Sequence, residues 1–416
     1  MKPVDPSLFL ERFLSYVKYD TQSSEESDSY PSTLKQLELS KQLLLELKDL
    51  GLQDTEITEH GYVFGTLPSN VDHQVPVIGY IAHVDTSPDV SGKNVNPVIN
   101  NNYQGGDIKL KNDSSQVIKA EMNPALKNCI GHDIITTDGT TLLGADNKSG
   151  IAEIMGALQY MIENPEIKHG SIRVAFTVDE EVGTGTKYFE LKKFAADYAY
   201  TIDGETAGEI EDETFCADTA IIRIQGVNVH PGYAKDRLVN AIKIAAHFVD
   251  QLPSDKMSPE TTEKREGYLH PHAIKGGVEE SEVIFLVRDF DIDGLKEKEN
   301  YLEKMCRDME NKFPDSRLSM EIKESYRNMK IILDKHPQVV EYGLEAVARS
   351  GLQPVKNLIR GGTDGARLCF MGIPTPNIFT GGHNFHSKKE WISVQNMAKA
   401  VETIIHLSEI WAERSK

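Results

Sequence analysis

The chain has 416 residues, 39% of them apolar and 26% charged, which is ordinary for a soluble globular protein and long enough for two or three domains. A net charge of −19, from 45 basic and 64 acidic side chains, argues against nucleic acid and anionic membranes as partners, because both attract basic surfaces. The sequence has no run of about 18 apolar residues, so we expect no membrane-spanning helix.

The cysteines are few and far apart, and none forms a C-x-x-C pair: Cys129, Cys216, Cys306 and Cys369. A long chain with so few separate cysteines is typical of a reducing compartment, so we expect four buried thiols in a cytoplasmic protein. Residues 1–20 have the pattern of a charged amphipathic helix and lack the apolar core of a signal peptide, which favours the same location.

Apolar periodicity in the first half predicts an alternation of helices and buried strands. The predicted helices cover residues 6–19, 33–50, 149–163 and 186–194, and the predicted strands cover residues 61–67, 75–82, 171–178 and 198–202. Between them, residues 87–141 are rich in Asn, Asp and Gly, which indicates an elaborated loop with small strands. This pattern predicts an α/β fold with a mixed, largely parallel sheet flanked by helices.

The pattern changes near residue 214 and changes back near residue 327. The intervening order of elements is β, α, β, β, α, β, which is typical of a small α+β domain with an antiparallel sheet. We therefore predict a discontinuous catalytic domain, residues 1–214 and 327–416, interrupted by an inserted domain, residues 215–326. Helices are expected again at residues 336–350 and 394–411, with a Gly-rich turn at residues 360–365.

The predicted strand over residues 75–82 leads directly into His83. Asp85 follows two residues later, so the imidazole and the carboxylate point to the same side if the strand continues. Such a pair could form half of a metal site. On its own the pattern is weak, because H-x-D occurs often by chance.

Four further stretches place acidic or histidine side chains where predicted strands or their loops end. They are Leu143-Gly144-Ala145-Asp146, Asp179-Glu180-Glu181, Asp203 and the segment His383-Asn384-Phe385-His386. Open α/β sheets build their sites at such ends. Three consecutive acids in a cleft would repel one another strongly without a compensating cation. Together these residues suit two divalent metals about 3.5–4 Å apart.

This ordered set resembles the M20 family of co-catalytic dizinc metallopeptidases over nearly the whole chain. Further markers of the resemblance are His230-Pro231-Gly232 in the inserted domain and Arg360-Gly361-Gly362-Thr363-Asp364-Gly365. The resemblance implies two Zn²⁺ per subunit, replaceable by Co²⁺ or Mn²⁺. It implies that His83 and Asp203 bind one ion, that Glu181 and His386 bind the other, and that Asp146 bridges both.

The same resemblance implies roles in catalysis. Asp85 would orient His83, and Glu180 would be the general base that activates a zinc-bridging water. His230 would reach the partner's site in a homodimer formed through the inserted domain and stabilise the oxyanion. Arg360 and Arg288 would bind the substrate's carboxylate.

The insertion at residues 87–141 and the sequence around Arg360 and His383 favour one branch of the family. Enzymes of this branch remove the N-terminal residue from tripeptides. We therefore expect a zinc-dependent aminopeptidase acting on short peptides. Dipeptidase, carboxypeptidase and N-acyl amino acid deacylase activities share the same metal site and remain alternatives, as does a non-catalytic metal-binding protein. Two residues depart from the expected pattern: Asn147 replaces an aspartate and Ser387 replaces a glycine. Asn147 removes a charge beside the metals, and Ser387 could alter the turn.

Overall fold

The structure, a computed structural model, describes residues 2–415. Its helices are α1 (Leu10–Tyr16), α2 (Gln36–Asp49), α3 (Ala145–Glu163), α4 (Leu191–Phe194), α5 (Ala241–Asp250), α6 (Ile292–Lys312), α7 (Lys330–Leu333), α8 (Pro337–Arg349), α9 (Asp364–Met371) and α10 (Val394–Arg414).

The strands, in chain order, are β1 (Gln53–Ile57), β2 (Val63–Leu67), β3 (Ile78–His83), β4 (Val98–Asn100), β5 (Ile108–Lys109), β6 (Val117–Ile118), β7 (Ile134–Thr136), β8 (Ile172–Thr177), β9 (Tyr198–Gly204), β10 (Glu209–Thr214), β11 (Cys216–Gln225), β12 (Tyr268–Gly276), β13 (Glu280–Asp289), β14 (Arg317–Tyr326), β15 (Val355–Ile359), β16 (Asn377–Phe379), β17 (Gly382–His383) and β18 (Trp391–Ser393).

The chain forms two compact units. The first contains residues 1–212, 332–357 and 363–416, and the second contains residues 213–331 and 358–362. The second unit thus extends a few residues past the expected inserted domain at each end. It also takes up the short segment 358–362, which includes Arg360.

An eight-stranded sheet in the order β1-β2-β8-β3-β9-β16-β10-β15 organises the first unit. Strands β8, β3, β9 and β16 are parallel neighbours, whereas β1, β2 and β10 pair antiparallel. The predicted mixed sheet is therefore confirmed, with parallel pairing among four central strands. Every residue of β3 and β8 is buried, as expected for strands covered on both faces.

Helices flank this sheet. Helix α3 packs against β3 and β9, and α10 packs against α3 and α8. The helix predicted over residues 186–194 is wrong in length, because only Leu191–Phe194 is helical and the preceding residues form turns. Among residues 2–415, no helix combines the length and the apolar character that crossing a bilayer requires.

The insertion between residues 87 and 141 is ordered around small strands, as the sequence predicts. Strands β4 and β7 join β18 and β17 in a second sheet, with the order β17-β18-β7-β4. Its apolar cluster contains Tyr103, Ile108, Leu110, Ile118, Leu126, Cys129, Ile134 and Trp391. The insertion therefore supports the loop between β17 and β18, which carries His386.

The second unit has the predicted order β11, α5, β12, β13, α6 and β14. Its four strands form an antiparallel sheet, β12-β13-β11-β14, with α5 and α6 packed against it. The buried residues of the core include Ile222, Phe248, Phe285, Val287 and Leu302. The predicted α+β character is confirmed.

Candidate metal centre

The candidate centre lies where the parallel strands of the large sheet end. His83 is the last residue of β3, Asp203 is next to the last residue of β9, and Glu181 follows the end of β8. Because β3, β8 and β9 run in the same direction, their carboxyl ends meet at one edge of the sheet. The alternating sequence of strands and helices thus brings distant residues together.

Two groups of possible metal ligands meet at this edge. His83, Asp146 and Asp203 form one group, and Asp146, Glu181 and His386 form the other. Within each group the candidate ligand atoms all lie within 4.8 Å of one another. The structure therefore brings together all five residues that the resemblance implies as ligands.

Asp146 faces both groups with different oxygens. Its Oδ1 lies 3.0 Å from His83 Nε2, and its Oδ2 lies 3.3 Å from His386 Nε2. His83 Nε2 also lies 3.5 Å from Asp203 Oδ1, and His386 Nε2 lies 2.7 Å from Glu181 Oε2. A carboxylate divided in this way has the arrangement of a bridging ligand.

The electrostatics of the cluster fit cations. Burial, and after it the charge of Asp146, raise the pKa of Glu181 to about 8, and burial raises the pKa of Asp203 to about 6. Although burial opposes it, hydrogen bonds to Asp146 and Glu181 raise the pKa of His386 to about 11. The cluster thus holds more negative charge than its buried position favours, and divalent ions would compensate it.

The donor set also fits a metal. Glu181 Oε1 is buried and has no hydrogen-bond partner within residues 2–415. Buried polar atoms without partners are uncommon, and a bound cation would satisfy this one. Imidazole nitrogen and carboxylate oxygen are ligands that zinc accepts.

Asp85 is fully buried and lies beside the first ligand. Its Oδ1 is 3.4 Å from His83 Nδ1, and its backbone oxygen is 3.1 Å from the same nitrogen. The two carboxylate oxygens also accept hydrogen bonds from the backbone N–H groups of Glu180 and Glu181, at 3.1 and 3.2 Å. Asp85 therefore contacts both the first ligand and the segment that carries the predicted base.

Glu180 belongs to neither ligand group among the described residues, although its neighbour Glu181 does. Burial raises the pKa of Glu180 well above its usual range, while His83 acts in the opposite direction. Asp179, the third acid of this run, is buried and accepts hydrogen bonds from Ser32 and Gln36. Of the three acids, Asp179 is thus held by other side chains and Glu181 belongs to a possible ligand group, and the role of Glu180 as the general base stays a prediction.

Asp89 lies in the loop after β3, where no sequence motif predicts a function for it. In the structure its Oδ2 lies 3.3 Å from Nδ1 of His386. The carboxylate contacts the ring nitrogen opposite the one that faces Asp146 and Glu181, which is the contact that orients a metal-binding histidine.

A pocket of about 480 Å³ opens beside Asp146 and His386. Its wall includes Met122 from the insertion, Phe385 and the carboxylate of Glu205, a residue that no sequence motif marks. His383 also lines the pocket, where it stacks on Trp391 at 4.5 Å between ring centres. Burial lowers the pKa of His383 to about 4, so its ring is neutral near pH 7.

The remaining predicted residues lie in the second unit. Arg360 donates hydrogen bonds to Lys264 O, Glu266 O and Thr262 Oγ1, at 2.7, 2.9 and 2.9 Å. Arg288 donates to the backbone oxygens of Asp218 and Val287, at 3.0 and 2.9 Å. His230 is exposed at the start of a short turn of helix, where its Nδ1 accepts from Gly232 N. The roles of all three stay predictions.

The two departures from the family pattern have different surroundings. Asn147 is buried, and neither polar atom of its amide has a hydrogen-bond partner within the described chain. Ser387 donates a hydrogen bond to Asn384 O at 2.7 Å. The left-handed backbone in this loop occurs at Asn384 and His386, with φ of 57° and 58°.

The fold and the paired ligand groups define the class of protein. The chain belongs to peptidase family M20/M25/M40, whose profile matches residues 138–409. Within this class it is 49% identical over 406 residues to Peptidase T of Bacillus pumilus, an alignment that covers 98% of this chain and 99% of that one.

Solved structures agree on the fold. A tripeptidase of Staphylococcus aureus superposes with a TM-score of 0.77 at 22% identity, over 99% of both chains. A Bacillus subtilis protein, described as a dinuclear metal-binding peptidase of the M20 family, superposes with a TM-score of 0.65 at 13% identity, over 98% of both chains.

Proposed function

We propose that this chain is a metal-dependent aminopeptidase that releases the N-terminal residue from tripeptides, using two divalent ions, Zn²⁺ in the first instance. The observation that carries the proposal is that the two carboxylate oxygens of Asp146 face different histidines, His83 and His386. Membership of the M20 peptidases and full-length similarity to Peptidase T support the substrate class.

When bound, the metal ions would supply Lewis acidity and lower the pKa of water. The water could then lose a proton near neutral pH and attack a peptide carbonyl. His83 and Asp203 would hold one ion, Glu181 and His386 the other, and Asp146 both. Glu180 would take a proton from the attacking water and transfer it to the leaving amine as the C–N bond breaks. Asp85 would hold the backbone of Glu180 in place.

A substrate panel tests the proposal. We expect hydrolysis of a tripeptide, slower hydrolysis of a dipeptide and none of an N-acetylated tripeptide, with all activity lost after chelation and restored by metal. Preferred release of the C-terminal residue, or of an acyl group, would favour the carboxypeptidase or deacylase alternative. A chain that binds metal yet cleaves none of these substrates would support the non-catalytic alternative.

Glu205 supports a preference for substrates with a free amino terminus. Its side chain is 51% exposed in the pocket beside Asp146 and His386, and the nearest imidazole, that of His383, is 4.0 Å away. A substrate α-ammonium entering this pocket would find a carboxylate available for a charge-assisted hydrogen bond. The same contact is lost when the amine is acylated.

Replacing Glu205 with glutamine should therefore raise KM for a tripeptide by about tenfold or more, with a smaller effect on kcat, because a hydrogen bond between charged groups is lost. Steady-state kinetics of the zinc-loaded protein would measure both constants. The matched control is Glu209→Gln, since the Glu209 carboxylate accepts a hydrogen bond from Asn357 and does not line the pocket. An unchanged KM in Glu205→Gln would contradict the assignment.

The remaining parts of the proposal concern assembly and location. We propose a homodimer formed through the second unit, in which His230 assists the partner's site, and a cytoplasmic location. The location is supported by four free, buried cysteines, as expected for a reducing compartment. The assignment of Arg288 and Arg360 to the substrate carboxylate requires that they exchange their present backbone partners for the ligand.

A further inference from the structure

Glu390 lies four residues after His386 and is almost completely buried, with 1% of its surface exposed. Its carboxylate accepts three backbone hydrogen bonds from a distant turn. Oε2 accepts from Leu143 N at 2.7 Å and Gly144 N at 2.8 Å, and Oε1 accepts from Asp146 N at 3.0 Å. A single side chain thus connects the loop of one predicted ligand to the backbone of another.

The turn that Glu390 holds is irregular. Gly144 has a left-handed backbone with φ of 81°, and Asp146, with φ −82° and ψ 102°, is not helical although it stands at the start of α3. Gly144 is the N-cap residue of α3, and it has no side chain that could accept a capping hydrogen bond. The first N–H groups of a helix need acceptors from elsewhere, and Glu390 supplies one to Asp146 N from 244 residues further along the chain.

A buried lysine lies near the same turn. Lys148 is buried, and its Nζ lies 3.7 Å from where a Cβ on Gly144 would stand, so the ammonium sits beside the same turn. Lys148 also donates a hydrogen bond to Tyr19 O at 2.7 Å. A buried carboxylate requires hydrogen-bond donors, and the backbone N–H groups of this turn supply them to Glu390.

We propose that Glu390 is a positioning residue that fixes the bridging carboxylate of Asp146 relative to His386, so that both can bind the same metal ion. The inference rests on the proposed metal centre. Glu390 belongs to neither possible ligand group among the described residues. It acts through the backbone of residues 143–146, and only a group with two acceptor oxygens can satisfy both sides of that turn.

The test is Glu390→Gln in the full-length protein. A glutamine keeps the size but accepts through one oxygen, and its NH₂ group would face a backbone N–H. We expect Zn²⁺ affinity, measured by competition with a chromophoric chelator, to fall by about 10- to 100-fold, as happens when contacts that orient ligands are removed. At saturating Zn²⁺, kcat should also fall, with KM for the tripeptide nearly unchanged.

Glu402→Gln is the matched control. Glu402 is a buried carboxylate of α10 that accepts hydrogen bonds from Val4 N and Lys399, and it contacts no predicted ligand. Its variant should bind Zn²⁺ like the wild type. The melting temperature of the chelated protein should change by a similar amount in both variants, and Glu390→Asp, which retains two oxygens, should recover part of the affinity.

Two outcomes would overturn the inference. One is wild-type Zn²⁺ affinity and kcat in Glu390→Gln. The other is a loss of folding in the chelated Glu390→Gln protein that is much larger than in Glu402→Gln, because Glu390 would then stabilise the whole unit. If the wild type itself bound no metal, the proposed centre would fail, and the binding measurement separates that failure from the two described above.

Discussion

Replacing Glu180 with alanine is expected to lower kcat by about 100- to 10,000-fold, the usual contribution of a general base, while both metal ions stay bound. Glu180 is outside both ligand groups, whereas the adjacent Glu181 is within one. Loss of the carboxylate would therefore remove the proton acceptor and leave the metal ligands in place. Tripeptide turnover and metal content after dialysis are the two measurements required.

Two further variants sharpen the result for Glu180. Glu180→Gln keeps the shape of the side chain but cannot accept the proton, so its kcat should be nearly as low as that of the alanine variant. Glu163→Ala removes an exposed glutamate at the end of α3 and should leave kcat unchanged. Turnover close to wild type in Glu180→Ala would show that another group is the base, and loss of metal would show that Glu180 is a ligand.

Replacing Asp146 with alanine is expected to weaken the binding of both metals by more than about 100-fold, which exceeds the effect of removing an indirect contact. Each oxygen of Asp146 faces the histidine of a different ligand group, so one substitution affects both groups. Isothermal titration calorimetry of the metal-free protein with Zn²⁺ should show weaker binding at both sites, and tripeptide hydrolysis should be lost.

The control for Asp146 is another buried aspartate of the same unit. Asp138 accepts hydrogen bonds from Asn96, Asn112 and Thr140, and it belongs to neither ligand group among the described residues. Asp138→Ala should therefore keep both Zn²⁺ sites. If Asp146→Ala still bound two equivalents with wild-type affinity, the shared-ligand arrangement would be refuted, and selective loss of one ion would restrict Asp146 to a single site.

The sequence predicted that these acidic and histidine side chains meet, because several of them follow recognisable strands. Which of them would bind metal was implied by the family resemblance alone. His83, Asp203 and Glu181 each stand at the end of a buried apolar run, and parallel strands place such ends at one edge of a sheet. The βαββαβ order of the second unit was similarly readable from periodicity. In both cases the information is local in sequence, even though the resulting site is not.

Asp89, Glu205 and Glu390 could not be assigned in the same way. Asp89 is near His386, and Glu390 is near Asp146, through contacts between segments separated by 297 and 244 residues in the chain. Neither residue belongs to a local motif, and an isolated acidic residue in a loop is most often solvent-exposed. Contacts of this kind follow from the packing of loops on the finished sheet, which periodicity does not describe.

The helix predicted over residues 186–194 failed for a related reason. Its apolar residues contribute to an aromatic cluster: Phe189 packs edge-on to both Tyr62 and Phe64, with ring centres 5.7 and 5.5 Å apart. Tyr62 Oη donates a hydrogen bond to Gly185 O at 2.9 Å, which holds the turn before this segment. Tertiary contacts therefore determine its conformation, and the helix is limited to Leu191–Phe194.

Residues 358–362 belong to the second unit, and this affects how that unit could be studied in isolation. Its stretch 213–331 is continuous in sequence, but the guanidinium of Arg360 lies over the rings of Phe215 and Tyr268 at 5.2 and 5.7 Å and binds the backbone near residue 265. A recombinant fragment ending at residue 331 would lack Arg360 and with it the contacts of the guanidinium with the two aromatic rings. Dissection of the protein therefore calls for a permuted or linked chain that restores the segment, since no single cut separates the two units.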